Sequence, residues 1–138
     1  MSKLRNKYEL LRLRISERAK NRCEYCNIHE DDMFLGFEID HIIAKKHGGG
    51  NELGNLAYAC PHCNQHKGSD FVTVVDDYND IVRLFNPRLQ LWDEHFETSN
   101  GEVLAKTKTG NATIKLLKMN DVDLIILRNI LSEIGRYP

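Results

Sequence analysis

Four cysteines fall as two Cys-x-x-Cys pairs, Cys23/Cys26 and Cys60/Cys63. Each pair sets two thiolates on one tight turn. Two such turns complete a tetrahedral zinc site with no open position, which makes the site structural. The 33 residues between Cys26 and Cys60 exceed ordinary zinc-ribbon spacing. They must therefore fold into an excursion that the metal staples at its base. The redox reading of Cys-x-x-Cys finds no βαβ pattern around either pair. His62 and His66 flank the last cysteine as substitute ligands, which two complete pairs make unnecessary.

Inside that excursion, EIDHII at residues 38–43 puts a charged pair, Asp40-His41, into an otherwise apolar, strand-like run. Strand alternation sends the two side chains to opposite faces. A carboxylate and an imidazole at a strand end, followed by the glycine-rich residues 48–50, suit a metal ligand beside a general base. The alternative is a surface turn with two ordinary polar residues. Asn55 follows His41 by 14 residues and Asn64 by 23.

The elements that must position these groups are short. Residues 3–20 carry Leu4, Tyr8, Leu11 and Ile15 at helical spacing, with basic residues between and Ser2 as N-cap, and predict an amphipathic helix with its basic side outward. Residues 34–43 and 56–59 read as strands, residues 47–51 as a flexible loop, and residues 61–67 as a short helix begun by Pro61 and stopped by Gly68. Downstream, Asn86-Pro87 marks a turn and Asn100-Gly101 a hairpin. NATIKLLKMN predicts a short helix, and Asn120 or Asp121 caps a last one that ends at Gly135.

A chain of 138 residues fits one domain, with 41% apolar and 28% charged residues arguing against disorder. No apolar run is long enough to span a bilayer, and the basic N-terminal stretch lacks the apolar core of a secretory signal, so the cytoplasm is the expected compartment. There, cysteines serve as metal ligands more often than as disulfides. The net charge of −1 hides an asymmetry: residues 1–22 hold eight Lys or Arg against two Glu, while residues 71–100 hold six acidic side chains against two basic ones. A basic arm on a neutral protein can contact phosphates through its local field; a solvated helix face is the plain alternative.

CEYC, EIDHII, GGGNELGNLAYAC and CPHCNQHKG together resemble the HNH endonucleases of the zinc-binding type, densely from Arg22 to Gly68. LFNPR, WDEHF and the Gly-Asn-Ala-Thr segment resemble a C-terminal extension found in one group of such proteins. The resemblance implies an α+β fold: a small, treble-clef-like ββα-metal core (residues 22–70) with a structural zinc. A basic N-terminal helix (1–21) and a hairpin-plus-helix extension (71–138) flank it, all in one domain. It implies an endonuclease that hydrolyses DNA, with His41 as general base, Asn55 orienting it, and a catalytic divalent cation on Asp40 and Asn64. Asn64 stands where many members have a final histidine, making this an H-N-N variant. Oxygen ligands favour Mg²⁺ or Mn²⁺ there. Lys67, Lys45 and Lys46 are candidate nucleic-acid contacts, with His66 a further one. No small-molecule cofactor or membrane is expected. RNA as substrate, a homodimer, and the target sequence stay open, as does the pathway: restriction, mobile element, phage packaging or defence. A non-catalytic zinc-stabilised nucleic-acid-binding module and a protein-interaction module are the competing readings.

Overall fold

A computed structural model describes residues 3–138, with side chains from Asn6 onward. The expected N-cap Ser2 and the side chains of Lys3, Leu4 and Arg5 lie outside the described residues. The elements run α1 (Lys3–Arg18), β1 (Glu38–His41), β2 (Leu56–Ala59), α2 (Pro61–Lys67), β3 (Val72–Thr73), β4 (Val82–Arg83), α3 (Trp92–His95), β5 (Phe96–Ser99), β6 (Glu102–Ala105), α4 (Lys108–Leu116) and α5 (Val122–Glu133). The strands pair as three antiparallel ribbons: β1 with β2, β3 with β4, and β5 with β6.

The first ribbon and α2 form the ββα unit. Its register sets Asp40 opposite Ala57 and His41 opposite Leu56. Every residue of β2 is buried, whereas β1 buries Asp40 and leaves Glu38 exposed. Cys60 caps α2, its sulfur accepting from the Cys63 amide, and Pro61 occupies the first turn, where a missing N–H leaves no bond unmade. The strand expected over residues 34–43 is shorter. Phe34, Leu35 and Gly36 lie exposed in an irregular segment, since β2 offers only four residues to pair with.

Helix α1 departs from a simple amphipathic stripe. Ile15 is fully buried and Leu11 half-buried, but Tyr8 is 56% exposed. Two of its arginines bond back to main-chain carbonyls, Arg12 half-buried and Arg18 still exposed. Arg12 donates to the Phe37 carbonyl at 2.6 Å and lies over the Tyr58 ring, and Arg18 donates to the carbonyls of Leu53 (2.8 Å) and Leu56. These bonds dock the helix on β2, so its basic groups do not all face solvent.

The buried apolar side chains form one cluster running from Ile15 through the cysteines to Phe85, Phe96, Leu117 and Tyr137. Residues 71–138 grip the cysteine turns directly. Trp92 Nε1 donates to the Tyr25 carbonyl at 2.8 Å, Arg88 pairs with Glu24 at 2.5 Å, and the Tyr137 hydroxyl donates to the Cys26 carbonyl at 2.7 Å. The Asn100-Gly101 hairpin forms with both residues at positive φ, as a two-residue turn of this kind requires. His95 turns its Nδ1 to the Thr107 hydroxyl at 2.7 Å and its ring toward Phe85.

Candidate metal centre and hydrolytic site

Cys23, Cys26, Cys60 and Cys63 are buried, and their sulfurs all lie within 4.8 Å of one another. The Cys26 amide points at Cys23 Sγ (3.5 Å) and the Cys63 amide at Cys60 Sγ (3.4 Å), so each turn already aims donors at a sulfur. Burial opposes ionisation of Cys23, yet hydrogen bonds from Cys26, Cys60 and Cys63 pull its thiol well below the ordinary range. Hydrogen bonds to Cys23 and its neighbours push Cys26 and Cys63 well above it. Four sulfurs this close cannot all ionise without a cation among them. The donor set and its spacing suit zinc. His62 turns instead to the Lys118 carbonyl (2.9 Å), and His66 to the His62 carbonyl (2.8 Å).

The second centre lies at the other end of β1. His41 is half-exposed, and its Nε2 lies 2.8 Å from Asn51 Oδ1. With an amide oxygen as acceptor, Nε2 carries the proton and Nδ1 is left as the basic nitrogen. Asn51 was not among the residues singled out from sequence. Its only signal is its place at the end of the glycine run, ten residues from His41.

Asn55, expected to orient His41, reaches the loop beyond it. Its Oδ1 accepts from the Ile43 amide, and its Nδ2 donates to the carbonyls of Ile43 and Gly50, each at 2.9 Å. Any influence of Asn55 on His41 therefore passes through the backbone. The loop is tied, where glycine content alone suggested flexibility. A Cβ on Gly49 would fall 1.7 Å from the Ile43 carbonyl oxygen, so only glycine lets the two strands of the loop approach this closely.

Asp40 points to the opposite face, 3% exposed. Its Oδ2 accepts from the Tyr25 hydroxyl at 2.7 Å, and the Lys67 ammonium sits 3.2–3.3 Å from both carboxylate oxygens. Lys67 also donates to the carbonyls of His41 (3.0 Å) and Ile42 (3.2 Å). Burial raises the Asp40 carboxyl above its ordinary range, while Lys67 and Tyr25 hold it down. The expectation that Lys67 contacts a phosphate is corrected. It is 2% exposed, and its charge is committed beneath β1, where it ties α2 to the strand.

His41, Lys45 and Asn64 line a shallow concavity of about 280 Å³ between β1 and α2, which the buried Asp40 also borders. A larger groove of about 600 Å³ lies beside it, lined by Tyr8, Arg12, Glu38, His41, Lys45 and Asn51. Lys45 and Lys46 are exposed on a single-turn 3₁₀ helix after β1. Asn64, Ser69 and the buried Asp40 are the oxygen-bearing side chains that border the smaller concavity, a donor type that suits a hard cation. Among the described residues, only the four cysteines form a convergent group of three or more His, Cys, Asp or Glu. A cation at the second centre would therefore rest on one or two protein ligands and complete its shell with water and substrate, as Mg²⁺ commonly does.

Residues 23–70 match the family model of the HNH endonucleases. The chain is 24% identical over 123 residues to the Septu protein PtuB of Bacillus thuringiensis; the match covers 88% of this chain and 45% of that protein. The chain thus spans less than half the length of this curated relative. No solved structure gives a significant match. The ββα unit with its four clustered cysteines is the ββα-metal fold of the HNH type. No helix among the described residues is long and apolar enough to cross a membrane.

Proposed function

We propose that this chain, carrying an HNH endonuclease domain at residues 23–70, is a cation-dependent endonuclease that hydrolyses phosphodiester bonds in DNA. The observation that carries this reading is the state of His41. The imidazole is half-exposed at the mouth of a groove, with one nitrogen fixed by Asn51 and the other free to take a proton. An imidazole held in one tautomer suits the deprotonation of an attacking water.

The remaining side chains divide the work by face. Asn51 fixes the ring, and Asn55 fixes the loop that carries Asn51. Lys67 and Tyr25 hold Asp40, and with it the end of β1. Asn64 offers an amide oxygen from α2 to the concavity that His41 and Lys45 also line. A divalent cation bound there, Mg²⁺ or Mn²⁺, would supply charge stabilisation at the phosphorus and at the leaving oxygen. Lys45, exposed on the rim of both hollows, meets the phosphate backbone, and Lys46 follows it along the same turn.

A binding module without catalysis would need basic rim groups, but not a base held in one tautomer. Supercoiled-plasmid cleavage by wild type and His41→Ala, at equal zinc content, tests the proposal with Mg²⁺, Mn²⁺ and EDTA. We expect cation-dependent nicking or linearisation by wild type and a loss of about 10²–10⁴-fold in His41→Ala. Equal cleavage by the two proteins would remove His41 from the reaction.

A further inference from the structure

Glu38 lies two residues before Asp40 on β1 and therefore on the same face of the strand. It is exposed, and its Oε2 accepts a hydrogen bond from Asn64 Nδ2, which closes the gap between β1 and α2 at the site's edge. Asp40 is differently placed. Both its oxygens face Lys67, one also accepts from Tyr25, and almost none of its surface meets solvent.

The charges decide between the two carboxylates. Asp40 is neutralised by Lys67 in the same buried pocket, and Asn64 carries no charge. Lys45 adds a positive charge at the rim. Counted without Glu38, this edge offers a divalent cation no net negative charge. Affinity for hard cations follows the charge and number of oxygen ligands. With Glu38 the edge gains a solvent-facing carboxylate that already touches the Asn64 amide. We propose that Glu38 is a ligand of the catalytic cation, forming with Asn64 the exposed edge of its seat beside the buried Asp40–Lys67 pair.

This rests on the reading of the site as cation-dependent, and the test separates the two. Zinc-loaded wild type, Glu38→Gln and Glu38→Ala are titrated with Mn²⁺, and free Mn²⁺ is followed by its electron paramagnetic resonance signal. Glu38→Gln keeps an oxygen to accept from Asn64 and removes only the charge. We expect both variants to bind Mn²⁺ about tenfold or more weakly, with unchanged melting temperatures, since Glu38 is exposed. Binding by Glu38→Gln and Glu38→Ala as tight as wild type, with wild type itself binding, would overturn this assignment alone. Wild type that binds no Mn²⁺ at millimolar concentration would overturn the cation-dependent reading of the whole site.

Discussion

At one end of the ββα unit four sulfurs lie within 4.8 Å of one another, sealed from solvent by Trp92, Arg88 and Tyr137. At the other end Glu38, His41 and Asn64 stand in shallow, open hollows, with few oxygen and nitrogen donors and the His41 ring half-exposed. The cysteine end is a candidate zinc site and the other the proposed cation site, and they are built in opposite ways. The closed end has a full tetrahedral set and no room for substrate, as a structural ion requires. The open end has an incomplete set, as the proposed reacting centre requires. Between them, Asp40 and Lys67 form a buried ion pair that fixes the strand from which both ends project.

The largest expected effect comes from breaking the closed end. Cys60→Ser removes a ligand and the sulfur that caps α2. We expect loss of bound zinc and of most of the domain's stability, on the order of 10 kcal/mol as in isolated zinc modules. Metal content and thermal melting measure it; a full zinc equivalent with an unchanged melt would show that the cysteines are not the site.

Next comes the buried ion pair. Lys67→Met leaves a buried carboxylate with only the Tyr25 hydroxyl, and should cost about 3–5 kcal/mol in denaturant unfolding. If Lys67 were instead a phosphate contact, this variant would keep its stability and lose DNA affinity with a flatter salt dependence.

A smaller effect is expected at the loop. Asn55→Ala strands the Ile43 amide and two carbonyls, for about 2–3 kcal/mol. Asn51→Ala should leave the melt unchanged and slow cleavage only. If Asn55→Ala slowed cleavage at full stability, the division of labour between the two asparagines would be reversed.

The smallest effect is a matter of pH. Burial, and then the Glu30 carboxylate that accepts from its hydroxyl at 2.6 Å, raise the Tyr58 phenol from 10.0 to about 12. Its folded value lies above the unfolded one. The stability it contributes is therefore complete below about 10 and lost as pH rises through about 12. Phenolate absorbance should show Tyr58 ionising late, together with unfolding. A tyrosine titration complete near 10 in the folded protein would contradict this.

Local chemistry made much of this legible in the chain itself. The two Cys-x-x-Cys turns, the extents of β2 and α2 with Pro61 and Gly68 at the ends of the helix, and the Asn100-Gly101 hairpin depend on residues adjacent in sequence. They appear where spacing and backbone preference place them. The Asp40-His41 pair was conspicuous for the same reason, as charge in an apolar strand. What tertiary structure alone decided are pairings between residues far apart. Lys67 reaches back 27 residues to Asp40, Asn64 reaches 26 to Glu38, and Arg18 reaches forward 35 to Leu53. A lysine at a helix end, a glutamate on a strand and an arginine on a basic helix all read as solvent-facing, because propensity and periodicity carry no record of which distant carbonyl or carboxylate will arrive beside them. Packing α1 and α2 against the same short ribbon turned Lys67 inward, bound the exposed Arg18 to the carbonyls of Leu53 and Leu56, and left Glu38 outside, in the groove that His41 also lines.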